Sequence, residues 1–357
     1  MRIGIVISAF TNGGAQRVAV TLSKWLNDNG HNCCIIALDE SSKNQYEAHD
    51  VNLIRLRNVY KGQGITNRLR MFDRDNQIDV YIVMGVPMCM YVIPALRKSK
   101  AKIIISERND PRNFQGKTIT KILSRWLMSK ADGFVFQTSD AWNFYKKYKN
   151  RSIIIPNPVA EVPKIQSRTQ NERRKKEIVT AGRLVPQKNH KMLIRSFAKI
   201  APSFPEYRLV IYGEGVLKEH LKGVCRDLGI EQVVDFPGSV NDLHNRILNS
   251  ELFVLSSNFE GMPNALMEAM AMGITSISTD CPCGGSKDLI KDGVNGFLIP
   301  VGNVDVCAKA IAKCLTEKKK ADEIGKNALD VQKTFSKDVI CKKWLEFVEK
   351  IANLEEK

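Results

Sequence analysis

Glu260 and Glu268 lie eight positions apart in FEGMPNALMEAMAMG, residues 259–273, and what separates them is mostly small, apolar or amide-bearing. Two acids set in such a stretch can accept hydrogen bonds from sugar or ribose hydroxyls. Arg183 and Lys188 stand five apart in TAGRLVPQKN. Across a turn, such a pair can clamp a diphosphate. Glycines cluster in the same region: Gly182, Gly213 and Gly215, then Gly238 followed by Ser239 and Val240. Glycine lets backbone approach a ligand closely. A plainer reading stands beside this one, in which Glu260 favours the positive end of a helix and Glu268 is a surface residue.

The elements that must hold these groups can be read from the same segments. ELFVLSS (251–257) is a short apolar run of the kind that forms a buried strand. Pro263 suits the first turn of a helix. That helix should run about ten residues to Gly273 at its C′ position. Glu260 then lies in the strand-to-helix loop and Glu268 on an early helical turn. The backbone N–H groups of Gly261, Met262 and Asn264 should be free at the helix start, where an anion or oxygen ligand is favoured. Met267, Met270 and Met272 read as core filler.

At 357 residues the chain exceeds one ordinary core and predicts two domains. Apolar strand candidates alternate with helical segments: RIGIVIS, HNCCIIALD, IDVYIVMG, KIIISE, DGFVFQT and SIIIPN, then EIVTAG, YRLVIYG, VVDFPG, ELFVLSS and TSISTD. This is the α/β pattern of doubly wound parallel sheets, which bind ligands at strand carboxyl ends. The boundaries expected are 1–163, a polar linker at 164–176, a second domain over 177–335, and a closing helix in 336–357. The segment 80–96 lacks charge but is short and broken by Gly85, Pro87 and Pro94. It reads as strand, loop and short helix rather than a membrane span.

The net charge is +16. Residues 1–163 hold 24 basic and 13 acidic residues, so most of the excess lies in the first half. That points to an anionic partner, a membrane surface or nucleic acid. Basic residues are not interleaved with aromatics and no nucleic-acid motif is present. No amphipathic anchor stands out, so membrane attachment should be electrostatic and weaken with salt. Nine scattered cysteines suggest reduced thiols in a cytoplasmic setting. Asp73-Arg74-Asp75 reads as a solvent-facing helix end, and His190, after the N-cap candidate Asn189, as structural.

The ordered set of Glu260-x7-Glu268 with GRLVPQKN, GEG, FPGSV and GVNGFLIP resembles the GT-B glycosyltransferases of family 4. TNGGAQRVAVTLSKWLNDNGH and IIPNPV fit the same family, so the resemblance covers nearly the whole chain. It implies two Rossmann-like domains facing across a cleft, with the last helix crossing back to the first. It implies that Arg183 and Lys188 bind the donor diphosphate, Glu268 holds the ribose and Glu260 faces the transferred sugar. Gly261, Met262, Pro263 and Asn264 would contact sugar or phosphate. Gly238, Ser239 and Val240 would lie near the base, and Gly13 and Gly14 would face the donor and acceptor.

The reaction implied is sugar transfer from a nucleotide-diphosphate donor, expected to be a UDP-sugar, with retention at the anomeric carbon. Arg183, Lys188 and helix N-termini would stabilise the leaving diphosphate, so no metal or other cofactor is required. The acceptor expected is a lipid-linked glycan of bacterial surface-polysaccharide synthesis, reached by an enzyme peripheral to the inner face of the cytoplasmic membrane. Two departures stand out. Many relatives have a His where this chain has Glu107 and Arg108. Glu107 could orient an acceptor hydroxyl, or it could pair with Arg108. The family's GG-x-x-E reads GGSKD here, with Asp288 in place of Glu. The competing classes are another nucleotide-sugar chemistry, such as epimerisation or phosphorolysis, and a non-catalytic anion-binding protein.

Overall fold

The computed structural model describes residues 1–10, 13–39, 51–113, 118–163 and 174–354, apart from the Asp39 side chain. The chain divides into two compact units. One comprises Met1–Pro158 with Lys337–Lys357, and the other Val159–Ser336. Each is a parallel sheet flanked by helices.

The described residues of the first unit form seven strands: β1 (Arg2–Ala9), β2 (Asn32–Asp39), β3 (Leu53–Arg55), β4 (Val80–Met84), β5 (Lys102–Glu107), β6 (Gly133–Phe136) and β7 (Ser152–Ile154). Their order is β3-β2-β1-β4-β5-β6-β7, all parallel. Strands covered on both faces must be apolar throughout, and β4 (VYIVM) is buried at every position. The segment 80–96 is the expected strand, turn and short helix, the last spanning Cys89–Ala95. No described helix is long and apolar enough to cross a membrane.

The closing helix, Lys337–Ala352, belongs to this first unit. It buries Ile340, Trp344, Phe347, Val348 and Ile351. Asp338 accepts a hydrogen bond from Trp25 Nε1 at 2.8 Å. Ile351 packs so closely on Gly133 that a Cβ there would sit 2.9 Å from it.

The described residues of the second unit form six strands: β8 (Lys175–Ala181), β9 (Arg208–Tyr212), β10 (Val234–Gly238), β11 (Ser250–Leu255), β12 (Thr275–Thr279) and β13 (Phe297–Ile299). Their order is β10-β9-β8-β11-β12-β13, again parallel. The order reverses between β8 and β11, which pair through Leu252–Ile178 and Phe253–Val179. In open parallel sheets the crevice outside the strand carboxyl ends at such a reversal is the favoured ligand site.

Two sequence expectations shift. The first unit ends at Pro158 rather than 163. Lys175 and Lys176, read as linker, open β8: Lys175 N donates to Asn249 O at 2.8 Å, and both side chains project at the exposed end of the sheet. Polar side chains there do not prevent ladder pairing. Of the rest of the expected linker, Arg174 donates to Glu251 O at 2.9 Å, and residues 164–173 lie outside the described residues. Asp73 also differs from the solvent-facing reading, since it is half-buried and accepts from Tyr81 OH at 3.0 Å. Arg74 and Asp75 are exposed and paired with each other at 3.0 Å.

Candidate active site

The loops that leave β8 and β11, the two strands at the reversal, are joined side by side. The β8 loop carries Gly182 to Lys188 and ends in one turn of 3-10 helix, Pro186–Lys188. Asn258 N donates to Gln187 O at 2.8 Å and Asn258 Nδ2 to Pro186 O at 3.0 Å. Ser256 Oγ donates to Lys188 O at 3.0 Å. These bonds fix the backbone under Lys188 from the neighbouring strand.

Lys188 and Glu260, assigned different ligand groups by the sequence reading, touch each other. Lys188 Nζ lies 2.6 Å from Glu260 Oε1, with both side chains largely buried. The same oxygen accepts from Ser257 Oγ at 2.6 Å, and Gln187 Nε2 lies 3.5 Å from Oε2. Glu260 is also held through its main chain. Its N–H donates to Pro282 O at 2.7 Å, and Cys283 N donates to its carbonyl at 2.9 Å. Glu260 is therefore fixed by three loops. An ammonium has three donors, so Lys188 can bond an incoming oxygen anion while keeping Glu260. Arg183 is exposed, and its guanidinium makes no ion pair with the described residues. The structure does not bring it onto Lys188 or Glu260.

The helix after Glu260 spans Asn264–Ala271, shorter than expected, with Pro263 at its N-cap and Met272 at its C-cap. Gly273, at φ +63°, occupies the expected C′ position. Gly261, Met262 and Pro263 are buried, Asn264 is half-buried, and Met267, Met270 and Met272 are core residues. Glu268 is on the second turn and buried, not a surface residue. Its Oε2 lies 3.0 Å from His244 Nε2. A carboxylate only accepts, so Nε2 carries the proton.

His244 lies on Leu243–Ile247, just after the exposed Ser239 and half-buried Val240. It was missed because the sequence reading stopped at Val240. A histidine four residues further, a short way past a strand carboxyl end, was the available signal.

The glycines serve packing more than open space. Gly213 has φ +130°, and a Cβ there would lie 2.0 Å from Gly182 O. A Cβ on Gly215 would meet Leu184 main chain at 2.4 Å. A Cβ on Gly182 would meet the Lys188 side chain at 3.2 Å, so this glycine gives the lysine stem its path. Gly285, in GGSKD, lets its loop rest on Gly261 O, which an added Cβ would approach to 1.8 Å. Asp288 is exposed on the helix Gly285–Leu289. His190 is buried at the start of His190–Ile200, behind the cap Asn189, and burial pushes its pKa down to about 4.

The remaining expected residues are in the first unit. Gly13 caps, and Gly14 opens, the helix Gly14–Asp28. Glu107 ends β5 and is buried. Its carboxylate is taken by main chain, accepting from the N–H groups of Arg108 at 3.0 Å and Asn109 at 3.3 Å, and by Tyr145 OH at 3.3 Å. The Arg108 guanidinium instead donates to Asn157 Oδ1 at 2.7 Å. The expected alternative of a side-chain pair between Glu107 and Arg108 is thus replaced by two separate networks.

Burial pushes the Glu107 acid up to about 7 from its ordinary 4.5, against the lowering effect of its hydrogen bonds. The folded protein then holds this proton more tightly than the unfolded chain. Stability should fall as pH rises from about 4.5 to about 7, by on the order of 3 kcal/mol. Glu107→Gln should flatten that slope in urea titrations at pH 5 and pH 8. An unchanged slope would show that Glu107 is not its source.

The model of the family described as Glycosyl transferases group 1 matches residues 162–331, and that described as Glycosyltransferase Family 4 matches residues 12–161. Together they run unbroken from residue 12 to residue 331. The chain is a glycosyltransferase of this family. A Campylobacter jejuni relative is 26% identical to the enzyme over 365 residues, 99% of each chain. It is named as an alpha-1,4-N-acetyl-D-galactosaminyltransferase acting on a GalNAc-GalNAc-diNAcBac-PP-undecaprenol. Among solved structures, the lipopolysaccharide outer core galactosyltransferase WaaB superposes with a TM-score of 0.76 at 22% identity, over 98% of this chain and 99% of that one. Anabaena HepE with UDP and glucose gives a TM-score of 0.83 at 16% identity, over 98% and 100%. The two parallel-sheet units of the enzyme have the GT-B fold of these neighbours.

Proposed function

We propose that the enzyme transfers a sugar from a UDP-sugar to a lipid-linked glycan, with retention at the anomeric carbon, in bacterial surface-polysaccharide synthesis. The observation that carries this reading is the braced Lys188–Glu260 pair at the β8/β11 reversal. There a cation meets the departing diphosphate and a fixed acid meets the transferred sugar. The C. jejuni name supports an undecaprenyl-diphosphate-linked acceptor, and the HepE complex supports UDP.

In the reaction, the bond from the anomeric carbon to the β-phosphate oxygen breaks as the acceptor oxygen bonds to that carbon on the same face. The acceptor proton goes to the leaving phosphate. Lys188 and Arg183 stabilise the charge that collects there. Backbone of Gly261 to Asn264 contacts sugar or phosphate, Glu268 accepts from the ribose hydroxyls, and Gly238 to Val240 lie toward the base. In the first unit, Glu107 and Arg108 are proposed to serve the acceptor and Gly13 and Gly14 the donor. No metal is needed, because side chains supply the positive charge.

The test is to incubate the enzyme with UDP-sugars and an undecaprenyl-diphosphate-linked acceptor, with and without EDTA, and to read the product's anomeric configuration by NMR. Retention with turnover unaffected by EDTA is expected. Inversion, turnover without an acceptor, or EDTA-abolished activity restored by Mn²⁺ would each contradict the reading.

His244 enters as a positioning residue for Glu268. A hydrogen bond to a charged group is worth about 1.5–3 kcal/mol. His244→Ala should therefore raise the donor KM roughly tenfold or more, with kcat little changed. An unchanged KM would separate His244 from donor binding.

A further inference from the structure

The helix Thr118–Met128 of the first unit turns an apolar stripe outward. It buries Ser124, Leu127 and Met128. Ile119 is 78% exposed, Ile122 64%, Trp126 59% and Leu123 39%. These four occupy positions i, i+3, i+4 and i+7, which lie on one helical face. Scattered exposed apolar residues need no explanation, but a contiguous stripe marks an interaction surface.

Cations rim this stripe. Lys121 is on the helix itself, and Lys130 Nζ lies 5.8 Å from the Trp126 ring centroid. The turn Lys146–Arg151 is tied to the helix's C-terminal end, with Arg151 donating to Ser129 O at 2.9 Å and Ala131 O at 2.7 Å. That turn carries Lys146, Lys147 and Lys149, the last two with ammonium groups over the Tyr148 and Trp142 rings. Residues 118–151 contain seven Lys and Arg against two acids, Asp132 and Asp140. Asp132 accepts from Ile103 N at 2.7 Å, and Asp140 sits in the first turn of Ser139–Phe144.

We propose that this face docks on an anionic lipid bilayer. Ile119, Ile122, Leu123 and Trp126 enter the boundary between headgroups and acyl chains, and the lysines meet lipid phosphates. A helix with an apolar face and basic flanks lies in the plane of the interface in this way. Trp126, with an apolar ring and an N–H donor, suits headgroup depth.

A second copy of the chain fits less well. Eleven residues make a helix about 16 Å long and about 10 Å wide, far below the roughly 800 Å² per partner of a stable interface. A two-fold contact would also bring two identical basic rims together. The proposal replaces the expectation of purely electrostatic attachment, since apolar insertion resists salt. It requires neither donor nor acceptor, so it can fail or hold independently of the reaction proposed above.

The test is co-sedimentation of the full chain with phosphatidylcholine vesicles, with and without one-third phosphatidylglycerol, at 0.1 and 0.5 M NaCl. The wild type should bind the anionic vesicles and retain part of that binding at high salt. Ile119→Glu/Ile122→Glu should bind more than about tenfold more weakly, since burying one isoleucine side chain is worth at least about a factor of ten. Its melting temperature should be unchanged, because both side chains are exposed. Brominated lipid should quench the wild-type fluorescence, and Trp126→Phe should remove that quenching. The proposal is overturned if the double variant binds like the wild type, or if the wild type does not bind. A dimer broken by the double variant, with no vesicle binding by either protein, would overturn it in favour of self-association.

Discussion

Lys188→Ala is expected to lower kcat/KM for sugar transfer by about 10²–10³-fold, the usual effect of losing one charge-stabilising contact in a transition state. The effect should be large because the ammonium is held in advance. Its backbone is tied to Ser256, Asn258 lies against its turn, and Glu260 receives it at 2.6 Å. Charge that need not reorganise acts at full strength when the diphosphate departs. Lys188→Arg should not restore the rate, because a planar fork does not occupy the place of a point charge on a flexible stem.

Removing the lysine also leaves Glu260 with only Ser257 and Gln187 as side-chain partners among the described residues. A stability loss of about 1–3 kcal/mol is therefore expected as well. The two effects separate in the measurement: kinetics below the melting transition read the catalytic one. A lowered melting temperature with unchanged kcat/KM would make the pair structural and remove Lys188 from the chemistry.

Gly213→Ala should cost about 2–4 kcal/mol of stability. At φ +130° an L side chain is strained, and the new Cβ would stand 2.0 Å from the Gly182 carbonyl, which is backbone and cannot rotate away. Either the β9 loop or the β8 loop must retreat. The β8 loop leads to Lys188, so activity should fall with stability. Gly229 gives the control: its φ is +67° and nothing lies within 4 Å of its Cβ position. Gly229→Ala should cost only the backbone penalty of about 1–2 kcal/mol and leave activity intact. Equal losses in the two variants, by chemical denaturation, would show that the loop contact contributes nothing.

The strands were legible where both faces are covered. Runs such as VYIVM and ELFVL have no polar alternation because no face meets water. The edge strands β3 and β13 have three residues each, too short to carry a period. The buried acids were legible as a spacing, but their partners were not. Glu260 meets Lys188 across 72 residues and Glu268 meets His244 across 24, and no local pattern encodes such pairings.

The glycines were legible as loop signals, but what they approach within the fold was not. What Gly213 approaches is the main chain of a neighbouring loop, which only the sheet order reveals. The exposed stripe of Thr118–Met128 was missed because an outward apolar face and an inward one have the same periodicity.

The measurement that bears most directly on the central claim is calorimetric titration of UDP, GDP and ADP into the wild-type enzyme and into Glu268→Ala. The account predicts that UDP binds selectively. It also predicts that Glu268→Ala, losing the ribose acceptor beside His244, binds it at least about tenfold more weakly. Equal affinity in the variant, or no binding of any nucleotide by the wild type, would contradict the placement of the donor at the β8/β11 reversal.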